Sequence, residues 1–200
     1  MDPLCEKYYD VGPYVYCGGN PINAVDLKGK DITFLIASDG AGGFGHMGAI
    51  IGNNTTYYYI TAGATKTDNG LFSNSNQEGG ISISKIEASS MSDAISWVRT
   101  NDNLNSYYDD YITFSTSNEM DKDMLNEAND KQVKFKTGKE HYRLFTNNCA
   151  DILKDIFEKG TDSDLHMGIS PSPNHNFANI RKNKVKIQNE INKNDDKKKK

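Results

Sequence analysis

A late cysteine and an early histidine are the residues of this sequence whose types could together perform nucleophilic catalysis. Cys149 follows two asparagines, and His46 follows the glycine-rich stretch 38–45. A cysteine nucleophile needs a proton acceptor within hydrogen-bonding distance, and usually a third polar group that orients the acceptor. We therefore predict a catalytic pair of Cys149 and His46. The alternative for each residue is a structural role, as a buried thiol and as a loop histidine.

The residues around Cys149 predict that its thiol lies at the start of a helix. Apolar residues follow it at helical spacing, and Gly160 is a stop signal; the apolar residues are Ile152, Leu153, Ile156 and Phe157. Either Asn147 or Asn148 can cap this helix. Unpaired N–H groups and the positive end of the helix dipole favour a thiolate and could bind an oxyanion. Asn147 and Asn148 are therefore candidate supports of the site.

The elements that must position this pair are short strands with helices inserted between them. Strands are predicted at 32–37, 47–52, 57–62, 81–86 and 111–115, and a further short strand at 142–146 leads into the helix of Cys149. Helices are predicted from Ser90 or Ser92 to about Arg99, with Trp97 facing inward, and from a capping box at Thr116 to about Asn129. The stretches 63–80 and 161–180 are predicted to be a long loop and irregular chain. This order favours an α+β fold with a small, mostly antiparallel sheet packed with helices.

The remaining histidines and carboxylates are weaker candidates for chemistry. His141 begins the last predicted strand and is the second choice as the base. His166 and His175 fall in predicted loops, where surface positions are expected, although His175 could cover the site. Asp39 and Asp151 are interpreted as a loop turn and a helix-start charge. No metal-ligand spacing is present, so neither a metal nor another cofactor is predicted.

Charge is distributed unevenly along the 200 residues. The net charge is −4, yet residues 181–200 carry nine Lys or Arg against three Asp or Glu, so the body of the chain is acidic. We predict that 181–200 is a basic disordered tail. An acidic body argues against nucleic acid as a partner.

Targeting and cross-linking signals are missing from the sequence. No apolar run approaches the ~20 residues of a membrane helix, so no transmembrane segment is predicted. The first residues lack the basic and apolar regions of a signal peptide, so we expect cytoplasmic synthesis. If the protein leaves the cell, a dedicated export system must deliver or secrete it. The three cysteines, Cys5, Cys17 and Cys149, have no paired spacing and are expected to be free thiols, although Cys5 and Cys17 could form a disulfide in an oxidising environment.

The first 31 residues resemble the C-terminal end of the core repeat of Rhs (rearrangement hot spot) proteins. The resemblance is carried by Asp2-Pro3-Leu4, Glu6-Lys7-Tyr8-Tyr9, Pro13-Tyr14-Val15-Tyr16-Cys17, Asn20-Pro21-Ile22-Asn23 and Asp26-Leu27-Lys28-Gly29. In that family the segment ends a β-cage, and a variable toxin or effector follows. The resemblance implies an Rhs segment at 1–31, an effector domain at 32–180 and a cognate immunity protein as partner. The stretch 26–30 departs from the self-cleavage pattern of the family.

The domain that follows resembles the circularly permuted papain-like fold. The resemblance is carried by Gly45-His46 before a strand, by the hairpin partner of that strand, and by Asn148-Cys149 at a helix start. Relatives include bacterial cell-wall peptidases, several delivered toxins and the lecithin:retinol acyltransferase group. The resemblance implies that the third catalytic residue lies on the strand 57–62. That strand has no His, Asp, Glu or Asn, and Tyr59 and Thr61, which share one face, are the candidates.

These features predict an Rhs-associated effector that is a cysteine hydrolase of the amidase or peptidase type. One alternative is a catalytically inactive papain-like module that binds a partner. Another is a lipid acyl hydrolase or acyltransferase on the same fold, for which the tyrosine-rich hairpin could provide an apolar patch. Peptide, amide and lipid substrates all remain open.

Overall fold

The fold is an antiparallel five-stranded sheet with helices on both faces. The computed structural model describes residues 30–53, 56–64, 79–101 and 108–198. The strands are β1 (Lys30–Ala37), β2 (His46–Asn53), β3 (Thr56–Ala64), β4 (Gly79–Glu87) and β5 (Asp110–Thr116). The helices are α1 (Gly40–Gly43), α2 (Met91–Asn101), α3 (Asn118–Lys136), α4 (Cys149–Thr161), α5 (Pro173–Lys182) and α6 (Lys184–Lys198). The predicted α+β class with a small antiparallel sheet is confirmed.

The strand order in the sheet is β4-β3-β2-β1-β5. β1 pairs with β2 on one side and with β5 on the other. Its residues from Ile32 to Ala37 are all buried, which agrees with an apolar run that has no alternation. β2 and β3 form the predicted hairpin, in a register that pairs Gly48 with Thr61.

Two apolar clusters lie on opposite faces of the sheet because successive strand residues point to opposite sides. The larger cluster contains Phe34 and Met47 from the sheet together with buried residues of α3, α4, α5 and α6. The smaller cluster contains Leu35, Ile50 and Tyr59 together with residues of α2. The helix that carries Cys149, α4, therefore lies on the face of the sheet with the larger cluster, which forms the thicker layer of the domain.

Three phenylalanine rings fix α4 against the centre of the sheet. The ring centroid of Phe157 lies 5.7 Å from that of Phe34 on β1 and 6.1 Å from that of Phe114 on β5. Phe34 and Phe114 are themselves 6.2 Å apart, and all three side chains are fully buried. Inclined aromatic contacts of this kind add to the stabilisation from area burial.

Helices α2 and α3 form where the sequence predicts them, but with different details. Trp97 was predicted to face inward from α2, yet it is 39% exposed, while Met91 is buried in the first turn. α3 is capped by Ser117, whose side chain accepts from the N–H of Met120, and not by Thr116. The hydroxyl of Thr116 bonds to Asp121, so it is not available as the cap. α3 continues past Asn129 because the buried Phe135 extends its apolar face.

The chain on either side of α4 also differs from the prediction. The strand predicted at 142–146 is a turn closed by a single bridge between Arg143 and Asn147, because this stretch does not join the sheet. Gly160, predicted as the stop signal, is a buried residue inside α4, where a Cβ would collide with the backbone of Met124. The helix ends after Thr161, and Asp162 adopts a left-handed conformation.

The structure of the C-terminal region differs most from the structure predicted from the sequence. Residues 161–180 were predicted to be irregular, but they include α5, whose buried face contains Phe177 and Ile180. Residues 181–200 were predicted to be a disordered tail, but α6 occupies 184–198. Ile187 and Ile191 of α6 are buried in the larger cluster. The high charge of this stretch led to the prediction of disorder, although it contains two apolar residues at helical spacing.

The predicted boundary between residues 31 and 32 falls inside a strand. β1 begins at Lys30, and the buried carboxylate of Asp31 accepts a hydrogen bond from the hydroxyl of Ser115. The remainder of the Rhs-like segment, with Cys5 and Cys17, lies outside the described residues, as does 65–78 of the predicted loop. In the described ranges, no helix has the length and apolar character needed to cross a membrane.

Candidate active site

Cys149 is the first residue of α4, and Asn148 is the cap of that helix. The Asn148 Oδ1 accepts from the N–H groups of Ala150, at 2.8 Å, and of Asp151, at 3.3 Å. The Asp151 carboxylate in turn accepts from the N–H of Asn148 at 3.1 Å, which completes a capping box. Of the two predicted caps, the structure thus selects Asn148. Cys149 is a free thiol and is only 2% exposed.

The Asn148 side chain also connects the helix start to two neighbouring segments. Its Nδ2 donates to the carbonyl oxygens of Leu144, at 2.9 Å, and Pro171, at 3.0 Å. Asn147, the other predicted support, donates its side-chain N–H to the carbonyl oxygen of His141 at 2.9 Å. Asn148 therefore anchors the start of α4, whereas Asn147 stabilises the turn before it.

His46 is the first residue of β2, and its imidazole reaches both the thiol and the next strand. The Nε2 atom lies 2.9 Å from the hydroxyl oxygen of Thr61, which is buried on β3. The imidazole also lies close enough to Cys149 to lower the pKa of its thiol. The structure thus brings together Cys149, His46 and Thr61, which were predicted from separate parts of the sequence.

Tyr59, the other candidate for the third position, pairs with a tyrosine that the sequence analysis did not select. Its hydroxyl lies 2.6 Å from that of Tyr108, and both side chains are buried. The ring centroid of Tyr108 is 6.2 Å from that of His46. Gly48 makes room for this pair, because a Cβ there would lie 2.6 Å from the Tyr108 hydroxyl. Tyr108 precedes β5, and no local pattern in the sequence connects it with His46.

The surroundings of Cys149 favour the thiolate. Burial of the thiol acts to raise its pKa, but the charge and hydrogen bond of His46 act against burial. The backbone N–H groups of Met47, 3.5 Å from the sulfur, and Ala150 act in the same direction as His46. The net result is a pKa below the ordinary cysteine value. This is the charge distribution that a nucleophilic thiol needs.

Tyr142 is a further member of the site that the sequence analysis did not select. Its side chain is buried next to Cys149, whose backbone N–H and thiol both affect the pKa of the Tyr142 hydroxyl. Burial and the negative charge of Cys149 raise the pKa of Tyr142 well above its usual value. The phenol therefore remains protonated and can donate to a negatively charged neighbour.

The other titratable candidates take ordinary structural positions. His141, the second choice as base, is exposed, and His175 is exposed on α5. His166 bonds to Glu190 of α6 at 3.0 Å and lies 3.3 Å from a carboxylate oxygen of Asp164. Asp39 is exposed beside α1. Within the described ranges, no group of three or more His, Cys, Asp or Glu residues is placed to hold a metal ion.

Comparison with known proteins adds nothing to this geometry. No protein-family model, no curated protein and no solved structure matches this chain. The arrangement of the thiol, the imidazole and the helix start is therefore the basis for assigning a function.

Proposed function

We propose that this protein is a cysteine hydrolase of the amidase or peptidase type, with Cys149 as nucleophile and His46 as base. The observation that carries the proposal is the position of His46, whose Nε2 atom lies 2.9 Å from the Thr61 hydroxyl and whose neighbour Met47 donates its N–H to the Cys149 sulfur at 3.5 Å. The imidazole also lowers the pKa of that thiol. A nucleophile, a base and a residue that orients the base form the arrangement that acyl transfer requires. This arrangement is also what the resemblance to permuted papain-like proteins implies.

The proposed reaction proceeds through a thioester. The thiolate of Cys149 attacks the carbonyl carbon, and the protonated Tyr142 hydroxyl stabilises the oxyanion that forms. Protonated His46 then gives its proton to the leaving nitrogen as the carbon–nitrogen bond breaks. Water attacks the thioester with His46 as general base, the carbon–sulfur bond breaks, and the carboxylic acid product leaves.

Alkylation of the full chain by iodoacetamide across a pH series tests the activated thiol. A lowered pKa keeps the thiolate populated as the pH falls, so labelling of Cys149 should persist at a pH where Cys5 and Cys17 are protonated. Peptide mapping by mass spectrometry separates the three cysteines and makes Cys5 and Cys17 internal references. His46→Ala should move the Cys149 midpoint upward, because burial then acts without the opposing charge.

The corresponding functional test uses Cys149→Ala and a panel of peptide and acyl amides. We expect this variant to lose hydrolysis by at least about a thousandfold while its circular dichroism and unfolding midpoint stay close to wild type. Retention of full activity by Cys149→Ala would exclude the mechanism. An unreactive wild-type thiol with an ordinary midpoint would favour the inactive binding module instead.

A partly exposed aromatic pair beside the site favours lipid acyl hydrolysis or acyl transfer as the second candidate function. Phe44 precedes Gly45-His46, Phe145 lies in the turn before Cys149, and their ring centroids are 6.4 Å apart. Phe145 is 38% exposed, whereas Tyr57 and Tyr59 of the tyrosine-rich hairpin are buried. The apolar surface expected from the hairpin therefore lies elsewhere, beside the catalytic pair.

A comparison of acyl chain lengths distinguishes the two functions. If Phe44 and Phe145 bind an acyl chain, esters with long chains should be cleaved better than short ones, and Phe145→Ala should reduce that preference about tenfold. Val185→Ala, an exposed apolar substitution on α6, is the matched control and should not change it. Equal rates for all chain lengths, with faster cleavage of amides, would favour the amidase.

The role as effector cargo is proposed from the resemblance of residues 1–31 to Rhs proteins. Such a cargo should inhibit the growth of a bacterium that produces it without its immunity protein. Production of the wild-type chain and of Cys149→Ala from the same inducible promoter tests this expectation. Growth inhibition by wild type alone would support a catalytic effector, and equal growth of both strains at equal protein levels would contradict it.

A further inference from the structure

A short segment at the start of α5 connects the elements that carry both proposed catalytic residues. This bridging segment, Pro171–Asn174, crosses from the cap of α4 to the glycine-rich loop before His46. At one end, the carbonyl oxygen of Pro171 accepts from the Asn148 side chain at 3.0 Å. At the other end, the Ser172 hydroxyl donates to the carbonyl oxygen of Phe44 at 3.2 Å. The segment therefore contacts the residue before Cys149 and the loop that leads to His46.

Asn174 makes the most extensive contacts of the segment with that loop. Its Nδ2 donates to the carbonyl oxygens of Ser38, at 3.0 Å, and Gly43, at 3.1 Å. Its backbone N–H donates to the carbonyl oxygen of Phe44 at 3.4 Å. One side chain thus joins the first residue of the loop to a residue near its end.

The loop has a backbone conformation that needs such support. Ala41 has φ 50°, and Gly42, Gly43 and Gly45 have φ of 69°, 90° and 94°. A run of left-handed backbone conformations is unfavourable for residues other than glycine. Glycine adopts these conformations readily, but its backbone is also the most flexible. The Asn174 side chain packs against Gly45 so closely that a Cβ there would collide with it. Asn174 therefore contacts the residue that directly precedes His46.

We propose that Asn174 is a positioning residue that holds the imidazole of His46 against the Cys149 thiol. The inference rests on the proposed function, since it concerns the same catalytic pair. Asn174 contacts the loop and not the reacting atoms, so it acts through Gly45-His46. Because the attraction between an imidazolium and a thiolate falls with distance, a loosened loop weakens the ion pair.

The effect of Asn174 should be seen in the ionisation of Cys149. The groups that influence this thiol are His46 from β2, Tyr142 from the preceding turn, and the backbone N–H groups of Met47 and Ala150. Of these groups, the His46 imidazole belongs to the residue that directly follows the glycine-rich loop. Loss of Asn174 therefore weakens the attraction of the imidazole and leaves the effect of burial in place.

The experiment measures the thiolate of Cys149 in the full chain by its ultraviolet absorbance and by iodoacetamide labelling with peptide mapping. The absorbance is taken as the difference between each protein and the same protein carrying Cys149→Ser. This subtraction cancels the absorbance of the tyrosines and of the other two cysteines. For Asn174→Ala, we expect the midpoint to rise by about one pH unit and labelling near neutral pH to fall about tenfold. Asn174→Asp, which keeps the shape but loses the donors, should behave similarly.

Asn179→Ala is the matched control. Asn179 lies on the same helix, and its side chain donates to the carbonyl oxygen of Met167 at 2.7 Å. It therefore stabilises α5 without a hydrogen bond to the glycine-rich loop. Its thiolate midpoint should equal that of wild type. Should an Asn174 variant fail to fold, Ser172→Ala removes one bond to the loop and should give a smaller shift in the same direction.

The outcomes separate this inference from the proposed function. An unchanged thiolate midpoint in Asn174→Ala would overturn the positioning role, as would equal shifts in Asn174→Ala and Asn179→Ala that follow their losses of stability. In either case, a low midpoint in wild type that depends on His46 would leave the proposed hydrolase intact. An ordinary midpoint in wild type itself would contradict the hydrolase.

Discussion

The hydroxyl of Thr61 occupies the position where a cysteine hydrolase needs a group that orients its base. Its oxygen lies 2.9 Å from the Nε2 atom of His46 and is held there by the pairing of Gly48 with Thr61 across the hairpin. A hydroxyl can accept from an imidazole or donate to it, so it fits either tautomer of the ring. A neutral group also stabilises an imidazolium less than a carboxylate does, so this arrangement orients the base more than it charges it.

Replacement of Thr61 tests this role at the scale of one residue. Thr61→Val keeps the shape and removes the hydroxyl, and we expect kcat on an amide substrate to fall about 10- to 100-fold because the imidazole loses its orientation. Thr61→Ser keeps the hydroxyl and should retain most of the activity. Steady-state kinetics of both variants provide the measurement. Equal activity of Thr61→Val and wild type would show that His46 is oriented by other groups.

Tyr142 illustrates why the residue scale alone is insufficient. It stands seven positions before Cys149, in a stretch that the sequence analysis assigned to a strand. The turn closed by Arg143 and Asn147 folds that stretch back, so the phenol lies near Cys149 and the two groups affect each other's ionisation. Tyr142, which the sequence placed in a predicted strand and not among the site residues, thereby comes to lie beside Cys149.

At the scale of elements, the start of α4 is specified almost completely by its own sequence. Asn148 and Asp151 form the capping box, and the apolar face of Ile152, Leu153, Ile156 and Phe157 is buried as its spacing predicts. These interactions join residues within four positions of each other, or follow from one repeat. The helix start, and the N–H groups near the thiol, could therefore be predicted without knowledge of the rest of the fold.

Helix α6 is the element on which the sequence analysis failed, and it supports a stability prediction. Ile187 is fully buried against the larger cluster, whereas Val185, two residues earlier, is 60% exposed. Ile187→Ala should lower the free energy of unfolding by about 2–5 kcal/mol, since it removes buried methyl groups and leaves a cavity. Val185→Ala should change it by less than about 0.5 kcal/mol.

Urea denaturation of the full chain, followed by circular dichroism, measures both α6 variants. If residues 181–200 were a disordered tail, as the sequence predicted, neither substitution would change the free energy of unfolding. If Ile187→Ala unfolds at the same urea concentration as Val185→Ala, the docking of α6 against the sheet would be contradicted.

At the scale of the whole molecule, the two faces of the sheet have different tasks. The thicker layer positions α4, with Cys149 at its start, through the contacts of Phe157 with β1 and β5. The other face carries His46, Thr61 and the Tyr59–Tyr108 pair, beside the cluster that includes α2. The thiol and the imidazole meet at the start of β2, where the thiol accepts from the N–H of Met47.

The sequence by itself determined the α+β class, the five strands of the sheet, the start of α4 and the two residues of the proposed catalytic pair. Each of these follows from a cap, a repeat or a residue type, which are properties of a short stretch of chain. Only the tertiary structure decided that Thr61 contacts the imidazole, that Tyr142 reaches the thiol, and that Asn174 holds the loop. It also decided that α5 and α6 pack on the domain. These contacts join residues on separate elements, and no local pattern encodes which distant groups will meet.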